Sequence, residues 1–445
     1  MPTGLVNVAF DDTVLEASPT WTRLDSDYRV QSISVDRGRS FELDTTSTGT
    51  ATITIADTTG AFDPTYSGGA FYGKLDPYKQ VAISLPSSGG SSWSTIYQGY
   101  VANWHYELHP AKRVGFVTIE CVDLMDFLAG AELSADGSFG NSVTASGDIV
   151  YAADSTTFAV QTRIEKVLNE VAAESGLVAW PVGRKSIFTG NVGLLASTYT
   201  SRTSCLTVIQ VAAESEFPGG VANFYVSRTG VASFRGRYAR FDYTNPTYGV
   251  STWALGDKAA ADGSPSTVVP VSPPFVFSRD KENIYTAASA APDDTALTSS
   301  DRAANYVVNA TAAGTYGLRT WAAEDLQTRN GAGGTTALQE TNLFADFYLA
   351  NYAAPRTRVG ALTVRPQHPT GTYGAATWGL LQAVELGDYL TLSTSHVGGG
   401  FSSVPFFVEG IHYDIQPMTG THPEVTLTLD VSPQSYWTSN PFAGP

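Results

Sequence analysis

The stretch Val30-Gln31-Ser32-Ile33-Ser34-Val35-Asp36-Arg37-Gly38, followed by Gly49-Thr50-Ala51-Thr52-Ile53-Thr54-Ile55-Ala56-Asp57, decides how the rest of the chain is read. Through most of it apolar residues recur at every second position, with Ser, Thr or Asp between them. Side chains alternate across a strand, so this period puts Ile33, Val35, Ala51, Ile53 and Ile55 on a core and the hydroxyls in water. The pattern predicts half-buried antiparallel strands. Turns are predicted at Asp36-Arg37-Gly38, Ser47-Thr48-Gly49 and Thr58-Thr59-Gly60, where glycine supplies positive φ at little cost.

Outward from this stretch, further strands are predicted at Gln80 to Leu85, Ser94 to Trp104 and Val114 to Val122, making a β-barrel or sandwich of about 130 residues. The period then changes. Ile164, Val167, Leu168 and Val171 recur at helical spacing and Gly176 marks a stop. A second helix is predicted from Ser204 to Glu214, ended by Pro218-Gly219-Gly220, and a hairpin follows with strands at Asn223 to Val226 and Val231 to Arg235. Residues 240–335 are rich in Pro, Ala, Ser, Thr and Gly and read as long loops, with strand-like pieces at Phe275-Val276-Phe277 and Asn283-Ile284-Tyr285. A third helix is predicted from Thr335 to Ala353, ahead of Pro355. Alternation returns at Val359 to Val364, Tyr389 to Leu392, Phe406 to Tyr413 and Glu424 to Val431. The fold class is therefore mainly β with α+β insertions, two β-barrel or sandwich regions flanking a helical and loop-rich middle.

With 445 residues the chain exceeds the size at which one core stops growing, so more than one packed unit is expected. Charged residues are only 15% of the total and the formal net charge is −16, with a pI near 4.7. That balance argues against stable nucleic-acid binding, which needs phosphate neutralisation. An acidic wall does suit a conduit through which DNA moves without sticking, since like charges repel. Cys121 and Cys205, the only cysteines, sit in apolar contexts and read as buried thiols, with no disulfide or thiolate metal site. No signal peptide and no membrane span is read from the sequence.

The candidate chemistry is thin. Gly68, Gly73 and Lys74 match the start of a phosphate-binding loop, but Leu75 follows where Ser or Thr would hold magnesium, and a Gly-rich loop between strands is the better reading. In Asn103-Trp104-His105-Tyr106-Glu107-Leu108-His109 two imidazoles and a carboxylate lie close in sequence. As a strand, residues 105, 107 and 109 form its wet face, so no metal site is assigned. Carboxylates such as Asp11-Asp12, Asp123, Asp126, Glu170 and Asp293-Asp294 are too many to single out a glycosidase pair. Eight Trp and twenty-two Tyr could build a saccharide platform, though core packing accounts for most of them. No residue is given a catalytic role, and no cofactor is expected.

The order of several short motifs carries a family resemblance. Val35 to Asp44, the Gly49 to Asp57 run, Gly60-Ala61-Phe62-Asp63-Pro64, Tyr72-Gly73, Leu75, Pro77, Gln98-Gly99-Tyr100-Val101, Trp104 and Cys121-Val122-Asp123-Leu124-Met125-Asp126 stand in the order seen in minor tail proteins of long-tailed phages of actinobacteria. The chain resembles that family. Pro218-Gly219-Gly220, Phe224-Tyr225-Val226, Tyr316-Gly317-Leu318-Arg319 and Phe407-Val408-Glu409-Gly410-Ile411-His412 extend the likeness over most of its length. The motif positions are Arg37, Gly38, Arg39, Gly49, Phe62, Asp63, Pro64, Gly73, Pro77, Gly99 and Trp104, all with structural roles. Ala56-Asp57-Thr58 departs from an expected Leu-Asp-Asn turn.

The resemblance implies a baseplate hub or tail-associated virion protein, made in the host cytoplasm and placed at the tail tip of a siphovirus. It implies a homotrimer in which two tube-like β domains per subunit offer six quasi-equivalent faces to a six-fold tube. The domains would be residues 1–135 (N-terminal tube-like), 136–240 (α+β, two helices and a hairpin), 241–355 (bridging, ending in a helix) and 356–445 (completing the second tube-like domain). Expected partners are the tail tube protein, the distal tail protein and other tail-tip proteins, with DNA in passage but not stably bound, and the host cell envelope at the tip. Rival readings are a distal tail protein forming a hexameric ring, a wall-binding or wall-degrading tip protein, and a secreted β-rich enzyme.

Overall fold

The predicted strands form, and most run longer than their sequence patterns. The computed structural model describes residues 4–87, 92–109, 114–134, 141–154, 159–279, 281, 283–293, 297–331, 335–366, 374–396, 399–419 and 422–437. The N-terminal strands are β1 (Val6–Ala9), β2 (Thr22–Arg23), β3 (Arg29–Gly38), β4 (Ser47–Asp57), β5 (Gln80–Pro86), β6 (Trp93–His109) and β7 (Val114–Val122). Antiparallel pairing sets Ile33 opposite Ile53 and Ile53 opposite Ile119, so the alternating apolar set of each strand lands on one buried face. The triplets Asp36-Arg37-Gly38 and Ser47-Thr48-Gly49 are strand ends, not turns: residues 39–46 make the connection. Thr58-Thr59-Gly60 does turn, because the Asp57 carboxylate accepts the N–H groups of Thr59, Gly60 and Phe62.

The later β region comprises β10 (Thr252–Gly256), β11 (Val268–Pro270), β12 (Leu362–Val364), β13 (Tyr389–His396), β14 (Gly399–Thr419) and β15 (His422–Pro433), following the hairpin β8 (Asn223–Val226) and β9 (Ala232–Arg235). The chain is mainly β, as predicted. The two β regions are joined, however, in one open 13-stranded mixed sheet with the order β11-β10-β13-β14-β3-β4-β7-β6-β5-β1-β2, β15 pairing β14 and β12. Among the described residues no barrel closes. The join is β14, whose 21 residues serve different partners along their length. Its first part pairs β13, while Gly410 to Ile415 lie between β15 and β3, with Ile411 opposite Arg37 and Ile415 opposite Ile33.

The middle supplies a second core. Helices α1 (Leu124–Gly130), α2 (Ala159–Glu174), α3 (Cys205–Glu216) and α4 (Ala337–Tyr352) bury Leu128, Ile164, Leu168, Ile209 and Phe344 around Phe217 and Trp437. Ser204 caps α3 and a Thr336/Gln339 capping box opens α4. Cys121 and Cys205 are buried free thiols. Residues 240–335 are less loop-like than predicted. They contain β10, β11 and a small sheet of Ala287–Pro292 with Tyr306–Val308 and Thr320–Leu326. Alanine is a poor strand former, but here its small side chain lets α4 pack closely, which no local pattern announces. Of the two strand-like pieces, only Phe277 enters a strand, and Asn283-Ile284-Tyr285 does not. A helix not foreseen, α5 (Gly374–Ala383), packs on the large sheet.

Ile53→Ala is expected to cost about 2–5 kcal/mol, as for other buried aliphatic truncations. Thr52→Ala on the opposite face should stay within about 0.5 kcal/mol. Urea denaturation of the two variants checks this, and a larger loss from Thr52 would contradict the register.

Candidate functional site

Where β3 meets β14, charged side chains from distant parts of the chain are drawn together. Gly38 has φ +98°, and a Cβ there would lie 2.3 Å from the Glu409 carbonyl oxygen, so only glycine fits the close approach of the two strands. Next to it, Arg39 donates through Nε to Glu409 (2.8 Å) and through Nη1 to the Asp44 carbonyl. Glu409 also accepts from Arg240 at 2.5 and 2.8 Å and from the Ser432 hydroxyl at 2.5 Å. On the other side of Gly38, Arg37 donates to Glu385 (2.5 Å) and to the Val226 carbonyl in the hairpin, while Glu385 accepts the Arg228 N–H. Glu42 pairs with Arg358 at 2.8 Å.

These ion pairs are buried, which makes them costly to break. A charge out of water is tolerable only with a partner, and deleting one partner leaves the other uncompensated. Burial would raise the Glu409 carboxyl, but Arg240 and Arg39 outweigh it and hold the group down at about 2. The folded-state value lies below the ordinary one. Its contribution is therefore complete above the ordinary carboxylate range and is lost as pH falls toward 2.

The other motif positions fall into two groups. Gly49 and Gly99 lie near the start of α1: the Gly49 N–H donates to Asp123 at 2.8 Å, and Gly99 faces the Val122 carbonyl and the Tyr97 ring. Asp123 in turn caps α1, and its burial pushes the carboxyl up to about 7. Phe62, Asp63, Pro64 and Trp104 are brought together with Leu75, Tyr106 and Leu108 around a cleft of about 360 Å3. Phe62, Phe71, Phe10 and Trp104 form one aromatic cluster there, and the Trp104 indole donates to the Asp76 carbonyl beside Pro77. Gly73 turns the connecting loop at φ +74°, and Lys74 pairs with Asp11 at the surface.

The solvent face of β6, β7, β4, β3, β14 and β15 is a broad, mostly polar surface. Row by row the register aligns Thr426, Asp414, Ser34, Thr52, Glu120 and Asn103, then Gln416 with Glu424, and Ser32, Thr54, Thr118 and His105. Carboxylates come from Asp36, Glu107, Glu120, Asp414, Glu424 and Asp430. The only Lys or Arg among the described residues of these strands on this face is Arg29, at one end beside Ala56. His412 stands between Asp36 (3.2 Å) and Asp430 (2.8 Å). Hydrogen bonds with these two carboxylates, Asp36 first, raise the imidazole to about 10. His105 and Glu107 also lie on this face, and His109 contacts Glu107 at 3.3 Å.

Among the described residues no three His, Cys, Asp or Glu side chains are placed to hold a metal ion. Glu170 is buried and accepts from Ser134, Asn141 and Tyr151, a structural role, and Asp294 lies outside the described residues. Sequence reading named Arg37 and Arg39 but missed Arg240, Glu385 and Arg358, since nothing local marks partners so far apart.

The whole architecture is similar to that of solved tail proteins. The tail protein from Neisseria meningitidis MC58 superposes with a TM-score of 0.52 at 11% identity, covering 99% of each chain. The 43 kDa tail protein of prophage MuSo2 from Shewanella oneidensis does so with a TM-score of 0.50 at 7% identity, covering 97% of each. The chain has the fold of these tail proteins. No family model matches the sequence, and no curated protein does either.

Two outcomes are expected here. Glu409→Gln should lower stability by about 3–5 kcal/mol in denaturant melts, because Arg39 and Arg240 lose their counter-charge. In NMR titration His412 should keep its proton through neutral pH; its stabilising contribution, complete below the ordinary histidine value, should be lost only as pH rises through about 10.

Proposed function

We propose that this chain is a structural phage tail protein, a hub at the tail tip that continues the tail tube and carries the tip proteins. The observation that carries this reading is a likeness in fold to tail proteins that extends over nearly the entire length of both chains, not over one module. In this reading the two ends of the chain, residues 1–135 and 356–445, supply two tube-like halves per subunit, and three subunits give six faces to a six-fold tube. Residues 136–240 and 241–355 bridge them, apart from β10 and β11, which extend the C-terminal half, and face the neighbouring tip components. Arg37, Gly38 and Arg39 act as the pin between the halves, and the Phe62-Asp63-Pro64 loop with Trp104 shapes the N-terminal half.

The hydroxyl and carboxylate face supports a role in DNA passage. A phosphate polymer finds no row of cations to hold it there, and like charge keeps it in motion. With that wall turned inward, the hub lines the exit channel and binds DNA only in transit. Its action is mechanical, and no residue performs chemistry.

Electron microscopy of tails carrying a tagged copy of this chain tests the proposal. Label at the tip with three copies per tail is the expected result; six copies would favour the distal ring, and label absent from tails would overturn the reading. Release of reducing sugars from host wall by the purified chain would favour the wall-degrading alternative.

A further inference from the structure

We draw no further inference here: the strongest candidate, the outer edge of β6 from Asn103 to His109, which β5 leaves unpaired beside the cleft lined by Phe62, Leu75, Trp104, Tyr106 and Leu108, carries nothing because no feature of the structure shows what covers it.

Discussion

Everything in this molecule depends on the pairing of β3 with β14, two strands from opposite ends of the chain. The contact is close because Gly38 removes a side chain from the interface, and it is fixed because Glu409 sits between two arginines. Backbone pairing alone would set the register; the buried charges make any other register expensive, since a slip would leave ions without partners. The hairpin is tied in through Arg37 and Glu385, so sheet and hairpin meet at the same place.

Two consequences follow for the surface. The inner face of the sheet carries an apolar core that continues across the join, from Ile53 and Ile119 to Ile411 and Leu429. The outer face is then free of any packing duty and can be hydroxyl-rich and acidic over many strands. One strand set thus separates a dry interior from a wide, mostly polar wall.

Much of this was legible in the sequence, because strand alternation is a local signal. Ile33, Val35, Ile53 and Ile55 declared their faces, and Ile164 to Val171 declared a helix. The boundaries were misread where a glycine serves packing instead of a turn: Gly38 and Gly49 both lie in strands. Helix α5 was invisible because Gly-Ala-Ala-Thr-Trp-Gly-Leu-Leu-Gln-Ala has no polar face to give it a period. The joining of two β regions into one open sheet was also beyond local reading, as were Arg240 and Arg358, whose meaning comes only from partners far along the chain.

The separation of those partners shapes how the protein can be made. Arg39 and Glu409 are 370 residues apart, so the N-terminal strands leave the ribosome long before the strand that covers them exists. Until then β3 presents an open edge, the kind of surface on which chains join wrongly. Arg37 and Arg39 keep the C-terminal end of that edge charged while it waits. The late arrival of β14 makes closure of the join the most non-local pairing the chain has to find.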